Sequence, residues 1–148
     1  MVPKIVSLAN FPKKGIHLKG EVPLNIESFQ EGLINSIIKI NLDLEIKKLE
    51  NNFFLKGFIE EELELFCSRC LEPFSYSEKI DIFHHLQEEE DLEADGFPMN
   101  DEIFKPYDMV IELIDINLPM KPLCSIDCKG LCVHCGANLN VEGCDCPK

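Results

Sequence analysis

The sequence has few positive charges. Its 148 residues include 14 lysines and arginines against 27 aspartates and glutamates, which gives a formal net charge of −13. Affinity for nucleic acid comes largely from basic side chains that neutralise phosphates. The charge balance therefore argues against a protein that coats RNA or DNA without selection.

Long apolar runs are also missing. The first residues, MVPKIVSLANFPKKG, lack the continuous apolar stretch of about 7–15 residues found in a signal peptide, and no segment approaches the roughly 18 apolar residues of a membrane span. We therefore expect a cytoplasmic protein whose thiols stay reduced. A chain of this length can sustain a core without disulfides, so we expect one domain with a small appendage.

The usual catalytic motifs are absent as well. The sequence has neither a GxSxG elbow nor a glycine-rich loop that could cradle a phosphate. His84 and His85 are adjacent, and on a strand their side chains would point to opposite faces. We therefore expect no enzymatic activity and no small-molecule substrate.

Cysteine, in contrast, is abundant and unevenly placed. The eight cysteines form four closely spaced pairs, one in the middle of the chain and three within the last 25 residues. The pairs are Cys67 and Cys70, Cys124 and Cys128, Cys132 and Cys135, and Cys144 and Cys146. Two sets of four thiolates are the ligands of two closed tetrahedral zinc sites, so we expect two structural zinc ions.

The spacing favours one way of combining the pairs. Only eight residues separate Cys135 from Cys144, so the last two pairs can close one compact site with little loss of loop entropy, which leaves the first two pairs for the other site. Two alternatives remain: a site formed by Cys124, Cys128, Cys132 and Cys135, and a site in which His134 replaces one of the sulfur ligands. Gly136 favours a tight CxxC turn because glycine tolerates a positive φ, whereas Leu71 makes CSRC the weaker candidate.

Other chemistries of clustered cysteines fit this sequence less well. Disulfides need an oxidising compartment. Thioredoxin-like redox activity needs a CxxC at the start of a helix in a βαβ pattern, whereas CSRC follows a predicted strand. Iron–sulfur proteins usually place three cysteines at short intervals with a distant fourth. Four thiolates around zinc also leave no open position for catalysis at the metal.

The alternation of apolar and polar residues predicts three consecutive strands. It is clearest from Ile38 to Ile46 and continues through 54–66 and 74–86, with a polar break at residues 50–52. Three such segments predict an antiparallel meander. Beyond them, with Asp108 as the N-cap, helical spacing predicts a helix of about ten residues.

Charge is distributed unevenly along the chain. Residues 78–102 hold ten acidic residues against one lysine, a net charge of −9, and the run from Glu88 to Asp95 predicts an exposed loop within an acidic insert at about 87–102. Residues 1–20 hold four lysines and no acid. Candidate contacts with RNA phosphate or an acidic surface are Lys13, Lys14, Lys19 and Arg69, with simple solvation as the alternative.

Two segments carry a resemblance to a known family. LPMKPLCSIDCKGLCVHCGANLNVEGCDC, residues 118–146, resembles the C-terminal signature of the bacterial YceD family, named for the accumulation of large-subunit ribosomal RNA, and LFCSRCLEPF, residues 65–74, is similar to its central element. The resemblance implies a role in accumulation or processing of that RNA, with a large-subunit ribosomal protein or precursor ribosomal RNA as partner. Some members keep only the central pair of cysteines, and the family brings no catalytic residues.

Together these features predict an α+β domain at residues 1–118. We expect an antiparallel sheet, curled or barrel-like, with one or two short helices, and a zinc-binding tail at 119–148 packed on it. The leading hypothesis is a non-enzymatic factor in ribosome assembly that acts by protein or protein–RNA binding. A direct RNA-binding zinc module and a thiol redox or metal-handling protein are the alternatives.

Overall fold

The fold is described from a computed structural model. The structure describes residues 2–29, 32–88, 96–144 and 146. Most of the predicted acidic loop, from Glu89 to Asp95, lies outside the described residues. Within the described parts of the chain, no helix is both long enough and apolar enough to cross a membrane.

The described residues form seven strands and one α-helix. A small two-stranded sheet pairs β1 (Val6–Ser7) with β7 (Ile103–Phe104). The main sheet has five strands, in the spatial order β2 (Ile16–Glu21), β3 (Ile34–Leu49), β4 (Asn52–Phe66), β5 (Pro73–Glu88) and β6 (Gly96–Met99). A 3₁₀ turn at Ile26–Ser28 precedes β3, and the helix α1 spans Pro106–Asn117.

The predicted meander is confirmed, but the sheet is mixed rather than wholly antiparallel, and it is not closed into a barrel. β3, β4 and β5 are antiparallel neighbours. β6 pairs with β5 in parallel, from His85 with Gly96 to Glu88 with Met99, and β2 and β6 remain as open edges. A four-residue strand that contains a glycine and a proline is too short to show a periodic pattern, so β6 could not be predicted and its residues fall within the predicted acidic insert.

Alternation places one face of the long strands in the core. The inner positions of β3 include Ile40, Leu42, Leu44 and Ile46, each at most 1% exposed. Ile38 was predicted on the same face but is 54% exposed. Register shifts between β3 and β4 insert an extra residue at Asn35 and again at Ile38, and a bulge of this kind changes which face the strand presents.

The helix covers the inner face of the sheet. Its buried apolar side chains are Met109, Val110, Leu113 and Ile114, which join the same core cluster as the strands. The predicted N-cap, Asp108, is wrong, because Lys105 is the N-cap and Pro106 opens the helix. Proline suits the first helical position, where its missing N–H would have no partner. Asp108 lies in the first turn, where its charge complements the helix dipole.

One charged residue lies in this core. Glu61 of β4 is 1% exposed and is paired across the sheet with Ile40 on one side and Glu78 on the other. Neither of its carboxylate oxygens has a hydrogen-bond partner among the described residues. Burial, together with the negative charge of Glu78, raises the pKa of Glu61 from 4.5 to about 7.

Candidate metal centres

The first CxxC motif forms a tight turn directly after β4. The amide of Cys67 donates a hydrogen bond to the carbonyl of Glu72 (2.9 Å), and the amide of Leu71 donates to the carbonyl of Cys67 (3.0 Å). Leu71 has a φ of 64°, a left-handed conformation that is unusual for a residue with a branched side chain. The turn brings the Cys67 and Cys70 side chains to the same side.

The second CxxC motif repeats this turn. The amide of Cys132 donates to the carbonyl of Ala137 (2.8 Å), and the amide of Gly136 donates to the carbonyl of Cys132 (2.9 Å). Gly136, with a φ of 76°, occupies the position that Leu71 fills in the first motif. The sequence therefore identified the conformation correctly at Gly136 and underestimated CSRC, because a leucine is held in the same left-handed conformation.

Four cysteines converge around the first turn. Their sulfur atoms lie within 4.8 Å of one another, and this first set is Cys67, Cys70, Cys124 and Cys128. The Cys67 and Cys128 sulfurs are 3.7 Å apart, as are those of Cys70 and Cys124. Bonded sulfurs would lie about 2.0 Å apart, so the four side chains are free thiols that face a common centre.

The surroundings of the first set fix it to the body of the protein. Cys67, Cys70 and Cys128 are buried, and Phe74, Leu123 and Leu131 pack against them. The amide of Ser68 donates to the carbonyl of Pro122 (2.7 Å), and Arg69 Nη1 donates to the carbonyl of Cys128 (3.0 Å). The end of β4 is thus joined to the chain that follows α1.

The remaining cysteines form the second set. Cys132, Cys135, Cys144 and Cys146 also have sulfur atoms within 4.8 Å of one another. The division into sets is the one that the spacing favours, and His134 belongs to neither set among the described residues. Each set has one exposed cysteine, but the other three are half-buried in the second set and buried in the first, so the second set lies nearer the surface.

Asn140 connects the two sets. It lies in the loop between the two halves of the second set, yet its Nδ2 donates to the sulfur of Cys128 in the first set (3.2 Å). Its Oδ1 accepts a hydrogen bond from the amide of Lys129 (2.8 Å), and its own amide donates to Asn138 Oδ1 (3.0 Å). The amide of Leu139 donates to the carbonyl of Gly130 (2.9 Å), which holds the same two segments together.

The thiols within each set differ widely in pKa. At Cys67, backbone hydrogen bonds outweigh the effect of burial and lower the pKa to about 6, whereas burial and neighbouring thiols raise the pKa of Cys124 to about 12. Backbone amides at Cys135 and His134 lower the pKa of Cys132 to about 6, and a hydrogen bond with Cys135 together with burial raises that of Cys146 to about 11. Ionisation of all four adjacent thiols near neutral pH is therefore unfavourable without a cation between them.

This donor set fits a metal ion. Four thiol sulfurs that face one centre, with amide N–H groups directed at some of them, could hold a soft or borderline divalent cation as a closed four-coordinate site. All eight cysteines take part, four in each set. A closed site of this kind holds two parts of the chain together and offers no position for a substrate.

The basic residues singled out in the sequence do not form one site. Lys13 and Lys14 are exposed just before β2, and Lys19 lies on β2 opposite Asp43 of β3. Arg69 lies beyond the other end of the long strands, more than about 30 Å from Lys13 and Lys14 when the rise per residue of β4 is counted. Its guanidinium donates to the carbonyl of Cys128. Arg69 therefore helps to hold the first set in place.

Sequence reasoning missed Asn140 and Glu61. The signal for Asn140 was the pair of asparagines, Asn138 and Asn140, inside the short loop between cysteine pairs, where an amide can reach a sulfur. Glu61 is the middle of three consecutive glutamates in β4, so its inward position between Ile59 and Leu63 was not evident from the sequence. Neither could be separated from ordinary surface residues by composition.

The chain spans less than two thirds of the length of the curated relatives that it matches. An uncharacterised protein of Mycobacterium tuberculosis (strain ATCC 25618 / H37Rv) is 25% identical over 134 residues, which is 86% of this chain and 62% of the relative. The chloroplastic large ribosomal RNA subunit accumulation protein YCED homolog 1 of Zea mays is 25% identical over 71% of this chain and 47% of its own length. The protein of the same name in Arabidopsis thaliana is 40% identical over 37 residues, 25% of this chain and 12% of its own. No solved structure matches the chain.

The family model described as large ribosomal RNA subunit accumulation protein YceD matches residues 55–148. The match begins in β4 and includes both CxxC turns and both sets of cysteines. It covers more than half of the chain. With these matches and this arrangement of cysteines, the chain belongs to the YceD family.

Proposed function

We propose that this protein is a non-enzymatic factor in the accumulation of large-subunit ribosomal RNA, acting in the cytoplasm during assembly or processing of that subunit. The observation that carries the proposal is the family match over residues 55–148, which takes in every cysteine of the two sets. Its partner would be a large-subunit ribosomal protein, precursor ribosomal RNA, or a surface formed by both.

We also propose that each set binds one zinc ion as a structural centre. Zinc holds thiolates at about 2.3 Å, and the corners of a tetrahedron of that radius lie about 3.8 Å apart. In the first set, the Cys67–Cys128 and Cys70–Cys124 sulfur separations of 3.7 Å agree with that edge length, and all sulfurs of the second set lie within 4.8 Å of one another. The zinc ions would fix residues 119–148 as a rigid tail on a body formed by residues 1–118.

The proposed ligands are those expected from the sequence. They are Cys67, Cys70, Cys124 and Cys128 at one centre and Cys132, Cys135, Cys144 and Cys146 at the other. Metal analysis of the purified protein should find about two zinc ions per chain. A metal-free protein with fully reactive thiols would favour the alternative of a thiol redox protein.

The function is tested in the cell that makes the protein. Depletion should lower the amount of large-subunit ribosomal RNA relative to small-subunit RNA, and the intact chain should restore it. A tagged chain captured at moderate salt should enrich a large-subunit ribosomal protein or a precursor particle. An unchanged RNA ratio on depletion, with neither partner enriched, would reject the proposal.

A further inference from the structure

The outer face of the sheet carries aromatic side chains at one end. Phe54, Lys56 and Phe58 alternate along β4 with the buried inner residues, and Phe83 and His85 lie beside them on β5. Phe83 is 78% exposed and Phe54 is 37% exposed. Most of the Phe83 ring and part of the Phe54 ring are therefore open to a ligand, and together they form a contiguous aromatic patch.

These residues form a regular grid across the two strands β4 and β5. Phe54 is paired with His85, Lys56 with Phe83, and Phe58 with Asp81. The rings of Phe54 and His85 have centroids 6.4 Å apart. Because Phe83 is diagonal to both other phenylalanines, the rings surround Lys56 on a surface built from rigid strands.

Cations surround the rings. Lys79 Nζ lies 4.3 Å from the centroid of Phe58, and Lys56 lies between Phe54 and Phe58 on the strand. On β3, Lys47 is the register partner of Phe54. Ile16, the first residue of β2, pairs with Ile46, which is the neighbour of Lys47. Lys13 and Lys14 come just before β2, so they lie at the aromatic end of the sheet.

Acidic residues bound the aromatic end of the outer face. Among the acids in and beside the grid, Asp43 contacts His17 (2.7 Å) and Glu45 contacts Lys47 (3.2 Å), whereas Asp81, the register partner of Phe58, is exposed. Farther along β4, the outer positions become acidic from Glu60 onward. A polyanion would therefore be attracted to the aromatic end and repelled from the other.

The chemistry of this end favours nucleotides over a protein partner. Its grid positions hold phenylalanine, histidine, lysine and acidic residues, and the nearest aliphatic side chain on this face is Leu49 at the hairpin. The buried centre of a protein–protein interface is usually depleted of lysine and acidic residues, both of which this grid contains. Flat rings flanked by ammonium groups on an open sheet are the arrangement that stacks unpaired bases and contacts their phosphates.

We propose that this aromatic face, formed by Phe54, Phe58, Phe83 and His85 with Lys56 and Lys79, binds single-stranded RNA by stacking its bases. The inference rests on the proposed function and places its RNA contact on the sheet, away from the cysteine centres. It also gives Lys13 and Lys14 a role as phosphate contacts at the border of the face.

The test is a binding measurement on the full zinc-loaded chain. Fluorescence anisotropy with a labelled mixed-sequence RNA single strand of about 12 nucleotides should show binding that weakens with salt, and the same RNA as a duplex should bind less well. Phe83→Ala should raise the Kd about 5- to 100-fold, and Phe83→Tyr, which keeps the ring, should restore most of the affinity. Ile116→Ala is the matched control, because Ile116 is 70% exposed on α1.

The outcomes separate this inference from the proposed function. Failure of the wild-type chain to bind the single strand, or equal affinity of Phe83→Ala and wild type, overturns the aromatic face as an RNA site. Capture of a ribosomal protein that depends on Phe83, with no RNA binding, also overturns it and assigns the face to a protein. In each case depletion can still lower large-subunit RNA, and then the proposed function stands alone.

Discussion

Through its hydrogen bond to Cys128, Asn140 lets the loop of the second set stabilise the first proposed metal centre. Asn140→Asp is the most direct perturbation, because the carboxylate keeps the oxygen that accepts from the Lys129 amide but removes the N–H that is directed at sulfur. A hydrogen bond to a charged group contributes about 1.5–3 kcal/mol. Tenfold in affinity corresponds to about 1.4 kcal/mol, so the first centre should bind its metal about 10- to 100-fold more weakly.

A chelator competition assay measures this effect. The two metal ions should leave the wild-type chain in a reproducible order, and in the Asn140→Asp variant one ion should leave at a lower chelator concentration while the other is unchanged. Glu142→Gln, in the same loop, is the control, because Glu142 contacts the described part of the loop through its backbone amide, which donates to the carbonyl of Asn138 (2.9 Å). Identical release from variant and wild type would refute the reasoning, and equal weakening of both centres would show a general loosening of the loop.

Three further predictions concern stability. Gly57→Ala should destabilise the fold by about 3 kcal/mol in chemical denaturation, because an added Cβ would lie 1.9 Å from the carbonyl oxygen of Asp43, whereas Gly143→Ala, with nothing within 4 Å, should change little; equal effects would contradict this. Leu71→Gly should raise the melting temperature by relieving the positive φ, and a lower melting temperature would show that the leucine side chain matters more. The pKa of Glu61 is raised from 4.5 to about 7 in the folded protein, so the neutral side chain supports the fold below pH 4.5 and this stability is lost as pH rises through 7. Glu61→Gln should therefore be more stable than wild type by up to about 3 kcal/mol at pH 8, with a smaller difference at pH 5. A difference in the free energy of unfolding that does not change with pH would refute this reasoning.

The sequence predicted the local features of the fold better than its long-range ones. The three alternating strands and the helix near residue 110 followed from periods of two and 3.6, which depend on neighbours along the chain. The parallel pairing of β6 with β5 and the bulge at Ile38 depend on contacts between distant residues. No pattern within one segment carries that information.

The candidate site shows the same division. Close spacing was enough to group the four cysteines of the second set, because only eight residues separate its halves. The first set needed the fold to bring Cys67 near Cys128, and spacing favoured that grouping only by elimination. The link through Asn140 and the aromatic face could not be predicted from spacing, since both depend on which residues lie opposite each other in space.

The first set of cysteines also constrains the order in which the molecule can be completed. Cys67 and Cys128 are 61 positions apart, and β5, β6, β7 and α1 all lie between them. During synthesis the meander can form while the later cysteines are still inside the ribosome, but the first centre cannot close until residue 128 has emerged. Metal capture would then be a late step that reports whether the intervening chain has folded correctly.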